Sequence, residues 1–496
     1  MDKPIRTRLA PSPTGYLHVG TLRTALYCYL LAKKNEGSFY LRLEDTDQTR
    51  YVEGSVENLL NSLEWAGIKP NEGLQLTDGN VHEVGDYGPY VQSKRLPMYH
   101  KYAKQLIDSG HAYHCFCSPE RLANMREDQI RHKRPPMYDR RCLHLSPEEV
   151  KKSLEAGESH VIRLKIPHQR VVELRDIVRG KVKFDCSNID DQVLVKSDGF
   201  PTYHLAHVVD DYLMKTNPII RGEEWLPSAP KHVLLFEALG LEVPQYAHLP
   251  LLLNKDKSKL SKRQGDVAVE DYIKKGYLKE AILNFVVFLG WNPGTEQEIF
   301  SMEELIENFS LDRVHKAGAI FDIEKLNWFN GLYIRQKSVA EIAGMIKPYL
   351  IEAGVKIENY SPDYLEKCTA QIYERLKYLS EAPGLIRFFF EDPDYDVGLV
   401  LNERMKVTLE IAEKGLAGAL EILTVTDDFS EENLKEVLIG KIKELGLKNG
   451  QVLWPMRAVL TGEQFSPGTF EVAAVLGKEE VLKRMKAGIE KIKSQN

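Results

Sequence analysis

The feature that most constrains the fold is a strand–loop–helix–strand pattern at the start of the chain. Residues 5–10 form a short strand pattern, the Pro-rich segment 11–15 ends it, and a second strand follows over residues 39–43. Between them, apolar residues recur at the spacing of one helical face. They are Leu22, Ala25, Leu26, Tyr29 and Leu30, and Gly37 is predicted to stop this helix. Because two strands joined by a helix run parallel, the sequence predicts an α/β domain with a parallel sheet.

The length of the chain indicates more than one domain. At 496 residues and 56.7 kDa, it exceeds the size at which a single hydrophobic core keeps growing. From about Ala340 onward helical periodicity dominates, and apolar residues lie on one helical face within 434–445 and again within 481–492. The sequence therefore predicts an all-α domain after the α/β part.

Composition and charge exclude several classes of protein. An apolar fraction of 43% and a charged fraction of 28% argue against long disorder. The net charge of −6 excludes a chain that is basic throughout, although a local basic face remains compatible with nucleic-acid binding. No apolar run is long enough for a bilayer and the start does not resemble a signal peptide. We therefore expect a cytoplasmic protein, and we expect a monomer.

The first loop and the helix after it are a candidate phosphate site. Ligands of open parallel sheets bind at the carboxyl ends of the strands, and a helix start offers free N–H groups to phosphate. His18 would add a donor there, and Gly20 would let a ligand approach the backbone. Such a triplet is more often a buried histidine with a turn glycine. The loop alone leaves both interpretations open.

A second candidate is the basic loop at residues 255–263, which contains four lysines and one arginine. Lysine side chains act as point charges that suit triphosphate oxygens. An isolated run of charges is usually a solvated loop, however. The charges alone leave phosphate binding and a solvated loop as alternatives.

The cysteines suggest a metal site. Cys115 with Cys117, and Cys142 with His144, form a C-x-C and a C-x-H pair. Four such ligands are enough for a closed tetrahedral zinc site. In a strand, residues i and i+2 point to one face, so each pair could converge on one ion. Single buried cysteines are common small hydrophobes, but two pairs in one segment favour structural zinc.

Two motifs in this order identify a family. His18-Val-Gly-Thr21 resembles the HIGH signature of class I aminoacyl-tRNA synthetases, and Lys259-Leu-Ser-Lys-Arg263 resembles their KMSKS signature. Other segments resemble bacterial-type glutamyl-tRNA synthetases specifically, and the resemblance runs from Arg8 to the C-terminus. These segments are 8–15, 41–47, 203–206, 208–211, 220–225, 450–452 and 455–462.

The resemblance implies a two-step reaction. Glutamate attacks the α-phosphate of ATP, carried with Mg²⁺, and the glutamyl group of the adenylate then passes to the 3′ end of tRNA-Glu. This chemistry needs positioning and charge stabilisation, not a nucleophilic side chain. The implied catalytic residues are His18, Lys259 and Lys262. The implied ATP-binding residues are His18, Gly20, Thr21, Lys259, Ser261 and Lys262.

The resemblance also implies a glutamate pocket. Arginines suit its carboxylates because a guanidinium is planar, while Glu44 would accept from the ammonium group. The implied residues are Arg8, Ala10, Ser12, Glu44, Tyr203 and Arg221. Trp225 fits either core packing or a pocket wall. The chain departs from the family at His207, where asparagine is expected beside this pocket.

Further implied contacts involve tRNA and zinc. Some bacterial glutamyl-tRNA synthetases carry zinc at the positions of the two pairs, which gives one structural Zn²⁺ on Cys115, Cys117, Cys142 and His144. The segment around them is basic and would contact the tRNA acceptor stem. Arg375 is the candidate for reading the last anticodon base, and a surface helix arginine is an equal alternative.

The combined pattern predicts five segments. They are 1–98, the first half of a Rossmann-like catalytic domain; 99–190, an inserted acceptor-binding arm with the zinc site; 191–250, the second catalytic half; 251–335, a connecting stem-contact segment with the basic loop; and 336–496, an α-helical anticodon-binding domain. A glutaminyl-tRNA synthetase and a tRNA-modifying paralogue that attaches glutamate to queuosine are the alternatives. Charging of tRNA-Gln in addition to tRNA-Glu stays open.

Overall fold

The structure, a computed structural model, describes residues 4–260 and 268–495. The chain divides into two compact units. The first comprises the residues up to Tyr272 together with Ile282–Ile323, and the second comprises Ile273–Ala281 together with Glu324–Asn496. Within the two described ranges, no helix is both long and apolar enough to cross a membrane.

The first unit begins with the predicted strand–helix–strand pattern. Its first elements are β1 (Arg6–Leu9), α1 (Val19–Lys34), β2 (Ser38–Leu41), α2 (Ser55–Trp65), β3 (Glu72–Thr77) and β4 (Asn80–Val84). Strands β1, β2 and β3 are parallel neighbours, and β4 returns antiparallel to β3. On the predicted apolar face of α1, Leu22, Ala25, Leu26 and Leu30 are buried and Tyr29 is half-buried. The predicted parallel pairing of β1 and β2 is confirmed.

The end of α1 differs from the sequence prediction. Glu36, not Gly37, takes the left-handed backbone conformation, with a φ of 51°. A Cβ on Gly37 would instead collide with the backbone carbonyl of Ile5. Glycine is therefore required at position 37 because the backbone after α1 passes too close to the backbone at the start of β1 to leave room for a side chain.

The next segment adds a small second sheet. Its elements are α3 (Leu96–Asp108), β5 (Ala112–Cys115), α4 (Pro119–Arg131), α5 (Pro147–Glu155), β6 (Val161–Leu164), β7 (Val171–Asp176), β8 (Gly180–Asp185) and β9 (Val193–Val195). Strands β5, β6 and β9 form an antiparallel sheet. The sequence assigns the strand at 192–196 to the second catalytic half, whereas β9 pairs with β6 of the inserted segment. A local strand pattern does not determine the pairing partner, which depends on tertiary packing.

The first two strands after this segment form a separate four-stranded sheet with β7 and β8. They belong to the series α6 (Tyr203–Leu213), β10 (Ile219–Gly222), α7 (Ala229–Ala238), β11 (Tyr246–Leu249) and β12 (Leu252–Leu253). Strand β10 pairs parallel with β11, and β11 pairs with β7 of the β7–β8 hairpin. Arg6 forms an isolated antiparallel bridge with Asn217, two residues before β10, and the Arg8 side chain donates from Nη1 to the Ile220 carbonyl of β10. The ends of β1 and β10 therefore lie close together.

The remaining elements are mainly helical. They are α8 (Val269–Lys274), α9 (Lys279–Val287), α10 (Met302–Asn308), β13 (Ala319–Ile320), α11 (Ile323–Ile334), α12 (Val339–Glu352), α13 (Pro362–Ile372), α14 (Ala382–Ile386), α15 (Leu409–Val425), α16 (Glu431–Glu444), α17 (Asn449–Thr461) and α18 (Thr469–Lys493). Strand β13 pairs parallel with β12. The predicted apolar faces are buried in α16, at Leu434, Leu438 and Ile442, and in α18, at Val481, Met485, Ile489 and Ile492. The predicted helical C-terminal domain is confirmed.

Candidate active site and cysteine cluster

A cavity of about 880 Å³ lies where β1, β2 and β10 end. Its wall combines the loops after β1 and β2, the start of α1, the start of α6 and the end of β10. It brings together the predicted residues Arg8, Ala10, Ser12, His18, Gly20, Thr21, Glu44, Tyr203, Arg221 and Lys259. Ser261 and Lys262, which belong to the same prediction, lie outside the described residues.

Helix α1 starts in the wall of this cavity. His18 is its N-cap residue, and the Gly20 N–H donates to His18 Nδ1 at 2.9 Å. Because Nδ1 accepts this bond, the ring proton resides on Nε2, and that nitrogen is a donor. A Cβ on Gly20 would lie 3.2 Å from the same Nδ1. The positive end of the α1 dipole, with His18 as its cap, therefore lies in the cavity wall, where it attracts an anion.

Arg8 is buried and already paired with a carboxylate. Its Nε and Nη2 donate to the two oxygens of Asp211 at 3.0 and 3.1 Å, and Nη1 donates to the Ile220 carbonyl at 3.2 Å. Asp211 also accepts from Arg42 Nη1 at 2.7 Å. Burial alone would raise the pKa of Asp211, but Arg42 and Arg8 hold it well below its usual range. Arg8 keeps one N–H on each terminal nitrogen for a ligand.

Glu44 stands beside the same ion pairs. Its Oε1 lies 2.9 Å from Arg42 Nη2, and the side chain is buried. Burial raises the pKa of Glu44 above its usual value, although Arg42 and Arg8 oppose the rise. In the described part of the chain, its second oxygen makes no hydrogen bond, so Glu44 can accept a bond from an ammonium group.

Arg221 is buried, and no carboxylate among the described residues pairs with it. Its Nε donates to His248 Nε2 at 3.0 Å, and its Nη2 donates to His232 Nδ1 at 3.1 Å. Its Nη1 donates to the Tyr203 hydroxyl at 3.2 Å and contacts His207 Nε2 at 3.4 Å. All four partners are uncharged acceptors. A buried cation without a neutralising partner is costly, so this arrangement favours an anionic ligand.

Aromatic rings form another part of the wall. The ring centroid of Tyr203 lies 4.1 Å from that of Trp225, and Tyr203 stacks on His207 at 5.2 Å. Trp225 is half-buried and lines the cavity, which favours the pocket-wall interpretation over core packing. The Tyr203 hydroxyl accepts from Arg221, so its own proton is available to a ligand.

His207 occupies the position where the family resemblance predicts asparagine. Its Nδ1 lies 2.6 Å from Asp211 Oδ2, and its Nε2 faces Arg221. Burial lowers the pKa of His207 to about 3, so the ring is neutral at physiological pH. The departure therefore puts a neutral acceptor, not a second cation, beside Arg221.

The three cysteines of the two pairs converge. Cys115 ends β5, Cys117 follows it, and Cys142 comes from a 3₁₀ helix over Arg141–His144. Their sulfur atoms all lie within 4.8 Å of one another. A hydrogen bond with the Cys142 thiol lowers the pKa of Cys115 to about 4. This favours the thiolate form of Cys115, which is the form that binds metals, while the same hydrogen bond raises the pKa of Cys142.

His144 does not join this cluster, which among the described histidines, cysteines and acids comprises the three cysteines. The prediction assumed a strand, but a 3₁₀ helix has about three residues per turn, so Cys142 and His144 point in different directions. The Tyr138 hydroxyl lies there instead, 3.4 Å from the sulfur atoms of Cys115 and Cys117. It also accepts from the Cys142 N–H at 3.0 Å.

Arg375 lies in the second unit, exposed and just after α13. Burial and the charge of Arg375 lower the pKa of Arg457, so the two arginines are close in space. Arg457 lies over the ring of Trp454, 4.6 Å from its centroid. Basic and aromatic groups on one surface are what single-stranded RNA binding requires.

Sequence reasoning missed several side chains that contact the cavity residues Arg8, Glu44 and Arg221. They are Arg42, Asp211, His232 and His248. A sequence signal exists for Asp211, because Asp210 and Asp211 follow an apolar stretch of α6, and buried acids need cationic partners. No local pattern marks His232 and His248, which reach Arg221 from α7 and β11.

Comparisons with known proteins find similar sequences over nearly the whole chain. The family described as "tRNA synthetases class I (E and Q), catalytic domain" matches residues 4–328, and "Anticodon binding domain" matches residues 341–489. The "Glutamate--tRNA ligase" of Alkaliphilus metalliredigens is 48% identical over 487 residues, covering 97% of this chain and 98% of its own length. The protein of that name from Pelodictyon phaeoclathratiforme is 49% identical over 504 residues, 98% of each chain.

Two solved structures are similar over nearly the full length. The glutamate tRNA ligase from Elizabethkingia meningosepticum, in complex with its amino acid, has a TM-score of 0.85 and 38% identity, covering 98% of this chain and 99% of its own. The glutamate-tRNA synthetase from Elizabethkingia anophelis has a TM-score of 0.85 and 39% identity, covering 98% of this chain and 100% of its own. The similarity in sequence is accompanied by similarity in fold.

Proposed function

Because this chain belongs to the glutamate–tRNA ligases, within the class I tRNA synthetases for glutamate and glutamine, we propose that glutamate is activated in the cavity at the ends of β1, β2 and β10. The enzyme uses ATP, an amino acid and tRNA. Glutamate and ATP give glutamyl-adenylate and pyrophosphate, and the glutamyl group then passes to the 3′ end of the tRNA. The observation that carries the site assignment is the buried Arg221 guanidinium without a carboxylate partner.

Glutamate binds between Arg8 and Arg221. Arg221 pairs with one substrate carboxylate, and Arg8 holds the other through its remaining N–H groups. Glu44 accepts from the ammonium group, and the Tyr203 hydroxyl donates to the substrate. Ala10 and Ser12 complete this side of the cavity. Glutamine would put a neutral amide against one of the carboxylate sites and leave a buried cation uncompensated, so the pocket favours glutamate.

ATP binds at the start of α1. His18 Nε2, with Gly20 and Thr21 beside it, faces the α-phosphate, because the positive end of the helix dipole attracts an anion. Lys259, with Ser261 and Lys262 of the same motif, holds the outer phosphates. Mg²⁺ accompanies the ATP. His18, Lys259 and Lys262 stabilise the charge that develops as pyrophosphate leaves.

The tRNA contacts extend beyond the cavity. The second unit reads the anticodon, with Arg375 beside Arg457, and the inserted segment contacts the acceptor stem. The domain limits 1–98, 99–190, 191–250, 251–335 and 336–496 are part of this proposal, as are a cytoplasmic location and a monomer. The substrate is tRNA-Glu, and tRNA-Gln is the second candidate.

The cysteine cluster holds one structural zinc ion. Cys115, Cys117 and Cys142 supply three sulfur ligands, which zinc prefers in structural sites. The fourth ligand is the Tyr138 hydroxyl, which lies 3.4 Å from two of these sulfurs. It is better placed for this role than the His144 imidazole. When bound, the metal ties β5 to the 3₁₀ helix and so stabilises the inserted segment.

ATP–pyrophosphate exchange tests this function, measured with glutamate and with glutamine, each in the presence and absence of tRNA-Glu and tRNA-Gln. We expect exchange that depends on glutamate, and glutamyl-tRNA as the product. Preferential exchange with glutamine would overturn the assignment of the pocket. The absence of exchange with both amino acids, even with tRNA present, would overturn the assignment of the ATP site.

A further inference from the structure

An imidazole lies against each of the three nitrogens of Arg221. His248 accepts from Nε at 3.0 Å, His232 accepts from Nη2 at 3.1 Å, and His207 faces Nη1 at 3.4 Å. All three rings are fully buried. The guanidinium also lies over the ring of Tyr246, 5.1 Å from its centroid. These contacts fix both the direction and the plane of the guanidinium.

Hydrogen bonds define the tautomers of His248 and His232. His248 Nδ1 donates to Asp176 Oδ2 at 2.6 Å, which leaves Nε2 as the acceptor for Arg221. In His232 the roles of the ring nitrogens are reversed. Its Nδ1 accepts from Arg221, so Nε2 carries the proton and donates to His204 Nδ1 at 3.0 Å. His248 and His232 thus present opposite ring nitrogens to the same cation.

The rings are neutral where the enzyme works. Burial lowers the pKa of His248, and of His232 well below its usual value, with the charge of Arg221 adding to both shifts. A carboxylate in their place would orient the guanidinium equally well, but it would also cancel its charge. In a low-dielectric site, an oriented cation that keeps its charge attracts a substrate carboxylate more strongly.

We propose that His248, His232 and His207 are positioning residues that hold Arg221 as an oriented cation with its charge uncompensated, and that they thereby set the affinity for glutamate. This inference rests on the proposed function, because it takes Arg221 as a residue that binds a glutamate carboxylate. The three histidines thus influence substrate selection through Arg221, without contacting the substrate themselves.

Asparagine and glutamine substitutions separate this role from a structural one. The amide of asparagine can replace the Nδ1 position of histidine, and the longer glutamine can replace the Nε2 position. At position 248, glutamine keeps the acceptor for Arg221, whereas asparagine keeps only the donor to Asp176. At position 232 the order reverses, because asparagine keeps the acceptor for Arg221 and glutamine keeps only the donor to His204.

The experiment measures kcat and KM for glutamate and for ATP on the four full-length variants, in the presence of tRNA. We expect His248→Asn and His232→Gln to raise the glutamate KM by about tenfold or more, the effect of losing a buried hydrogen bond to a charged group. The increase in the glutamate KM should be several-fold smaller for His248→Gln and His232→Asn. The ATP KM and kcat should change little, since the binding lost is to glutamate in both ground and transition states.

The matched control is His82→Asn, an exposed histidine on β4, which should match the wild type. Thermal unfolding of each variant establishes that it folds, and if one pair fails to fold, the ranking within the other pair decides. The inference would be overturned if the same amide, asparagine or glutamine, gave the higher glutamate KM at both positions. Equal glutamate KM values within both pairs would also overturn it. Arg221→Ala is measured in parallel. If it leaves the glutamate KM unchanged, the proposed pocket itself is wrong; if it raises the KM without the reversed ranking, the positioning role alone is wrong.

Discussion

Arg8, in the wall of the cavity, forms a bidentate ion pair with Asp211, with Nε–Oδ1 and Nη2–Oδ2 distances of 3.0 and 3.1 Å. Both side chains are almost inaccessible to solvent. Arg221, on the neighbouring strand β10, has imidazole and hydroxyl acceptors instead of a carboxylate. In the cavity wall, Arg8 is therefore neutralised by a carboxylate and Arg221 is not, and we infer that Arg221 attracts an anionic substrate more strongly than Arg8 does.

The ion pair predicts a large cost for removing its acid. Asp211→Asn leaves Arg8 and Arg42 buried without their shared carboxylate, and breaking a buried pair from one side costs about 3–5 kcal/mol. Chemical denaturation of the variant should show this loss. The matched control is Asp108→Asn, which breaks an exposed pair with Lys104 and should cost at most about 1 kcal/mol. Similar losses in the two variants would contradict the role given to Asp211.

The cysteine cluster predicts a metal content that point substitutions change selectively. Protein prepared with zinc available should contain one zinc per chain, and Cys142→Ser should lose it, because zinc sites depend on their thiolates. Cys368→Ser, a buried cysteine of the second unit, is the matched control and should retain the metal. His144→Ala should also retain it, whereas Tyr138→Phe should weaken its retention against a chelator. Full zinc in Cys142→Ser would contradict this site.

The buried histidines predict a loss of stability in acid. Burial, with Lys231 and Arg221 adding to it, lowers the pKa of His204 to about 4, against about 6.5 in an unfolded chain. The unfolded state therefore binds more protons between these values, so the stabilisation is complete above about pH 6.5 and is lost as the pH falls toward 4. Denaturation at pH 7.5 and 5.0 should differ by about 2 kcal/mol for such a histidine. His204→Asn should show a shallower dependence than the exposed control His82→Asn. Equal slopes would contradict the neutral state of His204.

Much of the fold follows from local periodicity. The spacing of Leu22, Leu26 and Leu30 predicts the buried face of α1 correctly. The position of His18 between the Pro-rich loop and this face predicts its place at the helix start, where it is the N-cap. Both are properties of a short segment, and such patterns are the strongest signals that a sequence carries.

The parts that the sequence did not predict depend on which elements pack together. His204 lies on α6, but its approach to His232 on α7, like that of Arg221 to His248 on β11, is set only when the sheet and helices assemble. The spacing assigns His144 to the metal cluster, but the backbone between it and Cys142 is a 3₁₀ turn, not a strand. Local spacing does not determine either relationship.

If the motif that includes Lys259 and Lys262 binds ATP, a substitution in it should slow the chemical step. Lys262→Ala should lower kcat for adenylate formation by roughly 100-fold, because its contact with the phosphates strengthens in the transition state. The glutamate KM should change little, since glutamate is assigned to Arg8 and Arg221. Lys101→Ala, an exposed residue of α3, is the control. An unchanged kcat with a raised glutamate KM would contradict the assignment of this motif to ATP.

The central claim is that Arg221 binds a glutamate carboxylate, and steady-state kinetics of Arg221→Ala tests it most directly. Removing one side of a buried charge pair costs about 2–5 kcal/mol, which is roughly a thirty-fold to several-thousand-fold loss in kcat/KM for glutamate. The ATP KM should change much less, because the phosphates are assigned to His18 and the Lys259 motif. We predict a loss within that range. A kcat/KM for glutamate within about threefold of the wild type, less than 1 kcal/mol, would contradict the account and make Arg221 a structural residue.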